Sequence, residues 1–299
     1  DVYKRQIYNN DWTIWENKKN TVCAEPCGEA CKHYEKVDDD IDLLENLGIR
    51  AFRFSIEWSR VEPQQGKFNE DAVLHYVSKA QKLIDKKIEP IITFHHFTTP
   101  DWISKDGSWL NPNIDEYFGS YVEYMMKKLP KKIKFYNTIN EPGIFAFFGY
   151  FSTTKFPPGI ADEKKFITAS ENIMKAHKTG LKTIKGINPE AMVGMTHALQ
   201  EWEDHDTNKL KEYLKYHLED KFLKASKEDD FIGLQTYTIV RYPKSILLKL
   251  VNPLLLNIPL IRRFLLPRII QIFAGRNGEI TKNTRTTKMG YEYRPEAVL

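Results

Sequence analysis

Between Cys31 and Thr238 the hydrophobic pattern switches from helical to strand-like spacing five times, and few folds accommodate that. A first helix is predicted from Asp38, Asp39 and Asp40, whose carboxylates suit the positive end of the helix dipole. It carries Ile41, Leu43, Leu44 and Leu47 and stops at Gly48. Residues 49–56 (IRAFRFSI) read as a strand. A second helix places Val73, Leu74, Val77, Ala80, Leu83 and Ile84 on one face, ahead of a strand over 90–94. A third, about 115–129, is lined by Tyr117, Phe118, Tyr121, Val122 and Met125 and leads into 132–143 (KIKFYNTINEPG). A fourth helix over 165–184, ending near Gly186, precedes a strand over 191–196; a fifth over 208–225 precedes one over 231–238. Such alternation predicts a parallel sheet wrapped by helices, either doubly wound or closed into a barrel.

Polar residues decide between the two. A barrel assembles its site from the carboxyl ends of many strands, whereas an open sheet concentrates it at one switch point. Here strand after strand ends in candidate chemistry: Arg53 and Glu57, then His95 and His96, then Asn140 and Glu141, then His197, Gln200 and Glu201, then Gln235 and Tyr237. No glycine-rich phosphate loop follows any of them. The expectation is therefore a barrel. Within 132–143, Ile133, Phe135, Tyr136, Thr138 and Ile139 have the content of a covered strand, which Pro142 ends because it has no backbone donor. An amide beside a carboxylic acid at such a mouth suits sugar chemistry, the acid protonating a glycosidic oxygen while the amide holds a ring hydroxyl. The same four residues, Asn140 to Gly143, also suit a plain solvated turn.

Composition excludes more than it selects. Hydrophobic residues at 41% and charged residues at 28% are ordinary for a globular chain of 299 residues. A net charge of +4 with dispersed lysines does not argue for nucleic acid. Cys23, Cys27 and Cys31 match no usual zinc spacing and make no disulfide framework, so they read as reduced thiols of a cytosolic protein. Residues 1–20 are polar rather than an apolar signal segment, and DVYKRQ at 1–6 reads as a scar of cloning or sequencing. Residues 246–273 are apolar but broken by Pro253, Pro259 and Pro267 and divided by Asn252, Asn257, Arg262 and Arg263. They read as a loop with short helices over the barrel mouth, in preference to an amphipathic membrane contact through Lys249, Arg262, Arg263 and Arg268.

With these residues in view the chain resembles glycoside hydrolase family 1, the β-glucosidase and β-galactosidase family of (β/α)8 TIM barrels. The resemblance rests on FRFSIEWSRVEP at 52–63, ITFHHFTTPDW at 92–102, NTINEPG at 137–143, DFIGLQTYT at 230–238 and MGYEYRPEAVL at 289–299, with NNDWTIWE at 9–16. It implies that Glu141 is the general acid/base, that Asn140 holds the sugar 2-hydroxyl, and that His96 binds the sugar. It further implies that Arg53 steadies a nucleophilic carboxylate and that Tyr237 hydrogen-bonds it; Gln235 stands where the family usually has asparagine. His95 reads as wall, and Trp58 and Trp102 as packing. No metal or organic cofactor is implied, and the partner would be a β-glycoside or oligosaccharide. The family retains configuration through two carboxylates about 5 Å apart, yet no strand of the nucleophile's ITENG type occurs in the sequence. The expectation is a single partial catalytic domain over 1–299, an incomplete α/β barrel with five or six of eight strands. It would lack the first strand, the nucleophile and the last strand that reads the sugar, and be inactive alone. The rival is a catalytically dead barrel that binds glycans or a protein.

Overall fold

The computed structural model describes residues 9–202, 209–237, 239–240, 257–260 and 262–266. Five parallel strands form its main sheet: β1 (Ala51–Ser55), β2 (Glu89–His95), β3 (Phe135–Asn140), β4 (Met192–Ala198) and, after the short β5 (Glu201–Trp202), β6 (Phe231–Gln235). Their order is β1-β2-β3-β4-β6, so each strand lies beside its predecessor in the chain. A doubly wound sheet reverses its order at a switch point; an order that never reverses is an arc of a (β/α)8 barrel. The short β5 pairs separately with β7 (Ile239–Val240).

The helices Glu70–Asp85, Ile114–Lys128 and Glu163–Ile187 follow β1, β2 and β3. The outward side chains of the strands meet them in an aromatic layer, where Phe94 stacks on Tyr136 and stands edge-on to Tyr121, which in turn stacks on Trp58. Trp102 meets Trp58 edge-on and donates its indole proton to the Glu62 carbonyl, so both tryptophans pack rather than line a cleft. Helix starts are capped as their sequences require. Asn69 accepts from the amides of Asp71 and Ala72, and Asp162 accepts from that of Lys165.

Three sequence expectations change. The first helix is Val37–Asn46, and it buries Ile41 while Leu43 and Leu47 stay 56% and 65% exposed. Those two leucines form an i,i+4 pair one step round from the buried stripe. Leu74 is displaced from its predicted face in the same way, at 59% exposed. The fifth helix is interrupted, running Lys209–Lys215, then a π turn Tyr216–Asp220, then Lys221–Ala225. Of the apolar segment 246–273, the described residues fold back on the protein. Arg262 pairs with Glu163 at 2.6 Å, Arg263 with Asp162 at 2.9 Å, and Leu266 is fully buried. No helix among the described residues is long and apolar enough to cross a membrane. Residues 1–6, Thr238, Pro253, Pro267, Lys249, Arg268 and 289–299 lie outside the described residues.

Asp11 carries a testable charge. It opens the helix Asp11–Trp15, ties it to the loop after β2 by accepting from the Thr99 amide at 2.9 Å, and is buried. Burial, with a smaller push from Glu57, raises its pKa to about 8 from the model-compound value of 3.8. The folded protein therefore holds a proton that the unfolded chain releases. This contribution is whole below the unfolded pKa and declines as pH rises toward about 8, by at most about 1.4 kcal/mol per pH unit. Asp11→Asn keeps the acceptor and removes the ionisation. Its melting temperature should gain on the parent's as pH goes from 5 to 9, and a pH-independent difference would refute this account.

Candidate active site

The inward face of the sheet is tied together by short polar side chains. Asn137 of β3 donates to Thr93 of β2 at 3.3 Å and accepts from Thr196 of β4 at 3.0 Å. Arg53 of β1 reaches over them, its Nε donating to Thr93 Oγ1 at 2.9 Å and its Nη2 to Asn140 Oδ1. Asn137 and Asn140 are three residues apart, an odd spacing that regular strand alternation would send to opposite faces. The β3–β4 register resolves this. Asn137 lies opposite Gly194 and Asn140 opposite Thr196, so one extra residue is absorbed in a bulge and both amides face inward.

Glu141 follows in the left-handed region, at φ 45° and ψ 59°, where a non-glycine residue costs roughly 1–2 kcal/mol. Two neighbours hold it there. Pro142 disfavours the right-handed helical region for the residue before it, and the Glu141 amide donates to the Thr196 carbonyl at 2.6 Å. The kink directs the carboxylate across β4 toward the β6 segment, where Tyr237 donates to Oε1 at 2.8 Å and Gln235 Nε2 donates to the same oxygen. Gln235 also donates to Asn140 Oδ1 at 3.1 Å. Pro142 then opens the helix Pro142–Ala146, and Gly143 lies so close to the π turn that a Cβ there would stand 1.9 Å from the Leu218 carbonyl oxygen.

Electrostatics favour a protonated acid. Burial raises the Glu141 pKa above the usual carboxylate range, against opposing pulls from the Tyr237 hydrogen bond, the Arg53 charge and the Gln235 hydrogen bond. His96 is held well below its ordinary value by burial, assisted by Arg53 and His95, and so is a neutral imidazole at neutral pH. Asn140 is fully buried, and its Nδ2 has no hydrogen-bond partner among the described residues. An unpaired amide donor beside a buried acid can take a hydroxyl of a bound molecule.

The structure thus brings Arg53, Asn140, Glu141, Gln235 and Tyr237 into one hydrogen-bonded group, with His96 close enough to feel the Arg53 charge. It leaves others out. His95 is enclosed edge-on by Trp109 and Phe145, where burial drops its pKa to about 3. His197 follows the inward Thr196, so alternation turns it outward, and it meets Ser226 at 2.9 Å. Glu57 accepts from Ser59 at 2.6 Å and Thr98 at 2.7 Å, Glu201 is exposed, and the Gln200 amide donates to Glu219. Sequence reasoning missed Thr93, Asn137 and Thr196. Their cue was available: each is a small polar residue on the face that β-strand alternation points inward.

Comparison with known proteins bears on the family and the fold. The profile of glycosyl hydrolase family 1 matches residues 8–245. A 6-phospho-beta-galactosidase of Staphylococcus epidermidis is 33% identical over 211 residues, 70% of this chain and 44% of its own length. Beta-glucosidase A of Acetivibrio thermocellus is 31% identical over 196 residues, 63% of this chain and again 44% of its own. A beta-glycosidase from Pyrococcus horikoshii superposes with a TM-score of 0.72 at 30% identity, covering 79% of this chain and 59% of that one. The chain thus spans less than half the length of those two sequence relatives. The chain belongs to glycosyl hydrolase family 1.

Proposed function

We propose that this chain supplies the sugar-binding and acid/base part of a retaining β-glycoside hydrolase, with the attacking carboxylate coming from outside the described residues. In this reading Glu141 protonates the leaving glycosidic oxygen as a carboxylate attacks the anomeric carbon, and then removes a proton from the water that releases the sugar. The unpaired Nδ2 of Asn140 takes the 2-hydroxyl, and neutral His96 shares in holding the ring. Arg53 steadies the attacking carboxylate by its charge. The observation that carries the proposal is the buried Glu141, its pKa raised by burial, set beside an amide donor that no described residue satisfies.

Tyr237 gives the reading a specific turn. Its one phenolic proton is on Glu141 and can serve only one carboxylate at a time. Transferring it to an incoming nucleophile would stabilise that group as an anion and release Glu141 from a hydrogen bond that lowers its pKa. One rotation would therefore leave one carboxyl an anion fit to attack and the other a proton donor.

The test is hydrolysis of 4-nitrophenyl β-D-glucoside, β-D-galactoside and their 6-phosphates, with the α-anomers as controls. The 299-residue chain should bind β-glycosides with little or no turnover. A gene product extended past Leu299 should hydrolyse β-anomers with retention, followed by NMR of the first-formed sugar. Inversion, or turnover of α-anomers, would refute the mechanism. Turnover by the 299-residue chain that Glu141→Gln abolishes would place the second carboxylate within it. Glycan binding without hydrolysis by the extended protein would favour the dead-barrel alternative.

A further inference from the structure

At the opposite end of the sheet, where β1 to β4 begin, an open groove of about 660 Å³ is lined from four successive helix-to-strand connections. Its rim carries Arg50, Lys87, Lys131, Lys132 and Lys134, all exposed. Among the described residues none of these five side chains makes an ion pair or hydrogen bond, although neighbouring cations do: Lys82 pairs with Asp38, Lys86 with Asp42 and Glu45, and Lys185 with Asp230. Lys87 stands in the turn into β2 at φ 60°, a strained backbone for a lysine. The floor is aliphatic, made by Ile88, Pro90 and Ile133, all buried.

We infer that this groove docks an acidic peptide segment of a partner protein, one with an aliphatic residue set among its carboxylates. Five unpaired cations around an apolar floor match a ligand that combines spaced negative charges with an apolar anchor. The volume falls within the range of ligand sites. The lining lacks any aromatic side chain on which a nucleobase could stack. Glu89 and Glu190 also stand in it, where they would repel a continuous phosphate chain. A peptide can place a neutral residue opposite each. The groove lies about 20 Å from the Glu141 group, the length of a strand of six residues, so occupancy need not obstruct a sugar.

The test is fluorescence anisotropy of a labelled Glu-Asp-Leu-Glu-Asp peptide titrated with the 299-residue chain at low and moderate salt. Saturable binding is expected, weakened at least tenfold by Lys87→Glu, Lys132→Glu and Lys134→Glu together. A similar loss is expected from a Gln-Asn-Leu-Gln-Asn peptide, and a smaller one from leucine replaced by serine. The Gln forms of the same three lysines should weaken binding less, and thermal melts of all forms should coincide because these exposed side chains make no hydrogen bond or ion pair among the described residues. No binding, or binding unchanged by the charge reversals, would overturn the inference. Inorganic polyphosphate or heparin displacing the peptide at far lower concentration, with no effect of the leucine, would make the groove a general anion surface and overturn it too. The assay uses no glycoside, so its outcome is independent of the hydrolase reading.

Discussion

Glu141→Gln, made in a protein that holds these residues together with the attacking carboxylate, is expected to lower kcat for an alkyl β-glucoside about 10³-fold. Glutamine preserves the shape and can still accept from Tyr237 but has no proton to give. An activated aryl glucoside should escape most of the first-step loss, because its phenol leaves without protonation. Its second step should stall for want of a base. Azide, which attacks without a base, should restore turnover and yield a β-glycosyl azide. The pH profile provides a second readout. Burial raises the Glu141 pKa, so the parent's kcat/KM should hold above the ordinary carboxylate range and fall as pH rises through the raised value. That alkaline limb should vanish in the variant. Parental rates on the alkyl glucoside would remove Glu141 from the acid role.

Gly143→Ala should be the most damaging single methyl in the described structure. The added Cβ would sit 1.9 Å from the Leu218 carbonyl oxygen and 2.8 Å from its carbon, and both are backbone. Either the helix Pro142–Ala146 or the π turn would have to shift. Overpacking of this kind costs about 3 kcal/mol or more, which lowers the melting temperature by roughly 5 °C in a domain of this size. Gly186→Ala provides the control of opposite sign. That glycine is in the helix Glu163–Ile187 with nothing within 4 Å of the added carbon, so alanine should stabilise by about 0.5–1 kcal/mol through helix propensity. Equal melting temperatures for the two variants would show that the Gly143 contact has room to relax.

Much of this architecture was legible because period and punctuation agree. The five main strands and their helices fall within a few residues of the positions that hydrophobic spacing assigns, and Pro142 ends β3 as its missing donor requires. Arg53, Asn140, Glu141, Gln235 and Tyr237 were legible through motif spacing. What sequence did not disclose is which way a side chain turns. His197 and Asn140 both stand at strand ends, yet one faces a helix and the other the site, because a bulge in β3 inserts a residue that no local signal marks. The left-handed backbone of Glu141 was equally hidden. It depends on the Thr196 carbonyl, 55 positions on, receiving its amide. The basic groove escaped notice because its cations are scattered through four connections and converge only once the strands align.

The unreversed strand order has a consequence for how such a chain is made. A ribosome releases residues from the amino end, and among the described residues each strand of the main sheet after β1 finds one hydrogen-bonding neighbour already synthesised, the sheet strand completed just before it. The sheet can therefore extend by accretion, without waiting for a distant segment. At each stage one growing edge is exposed, and in the described residues that edge is β6, whose Ile232 and Leu234 remain 50% and 61% exposed. A pause in translation after β6 would hold that sticky edge in the open, and chaperone engagement would be greatest there.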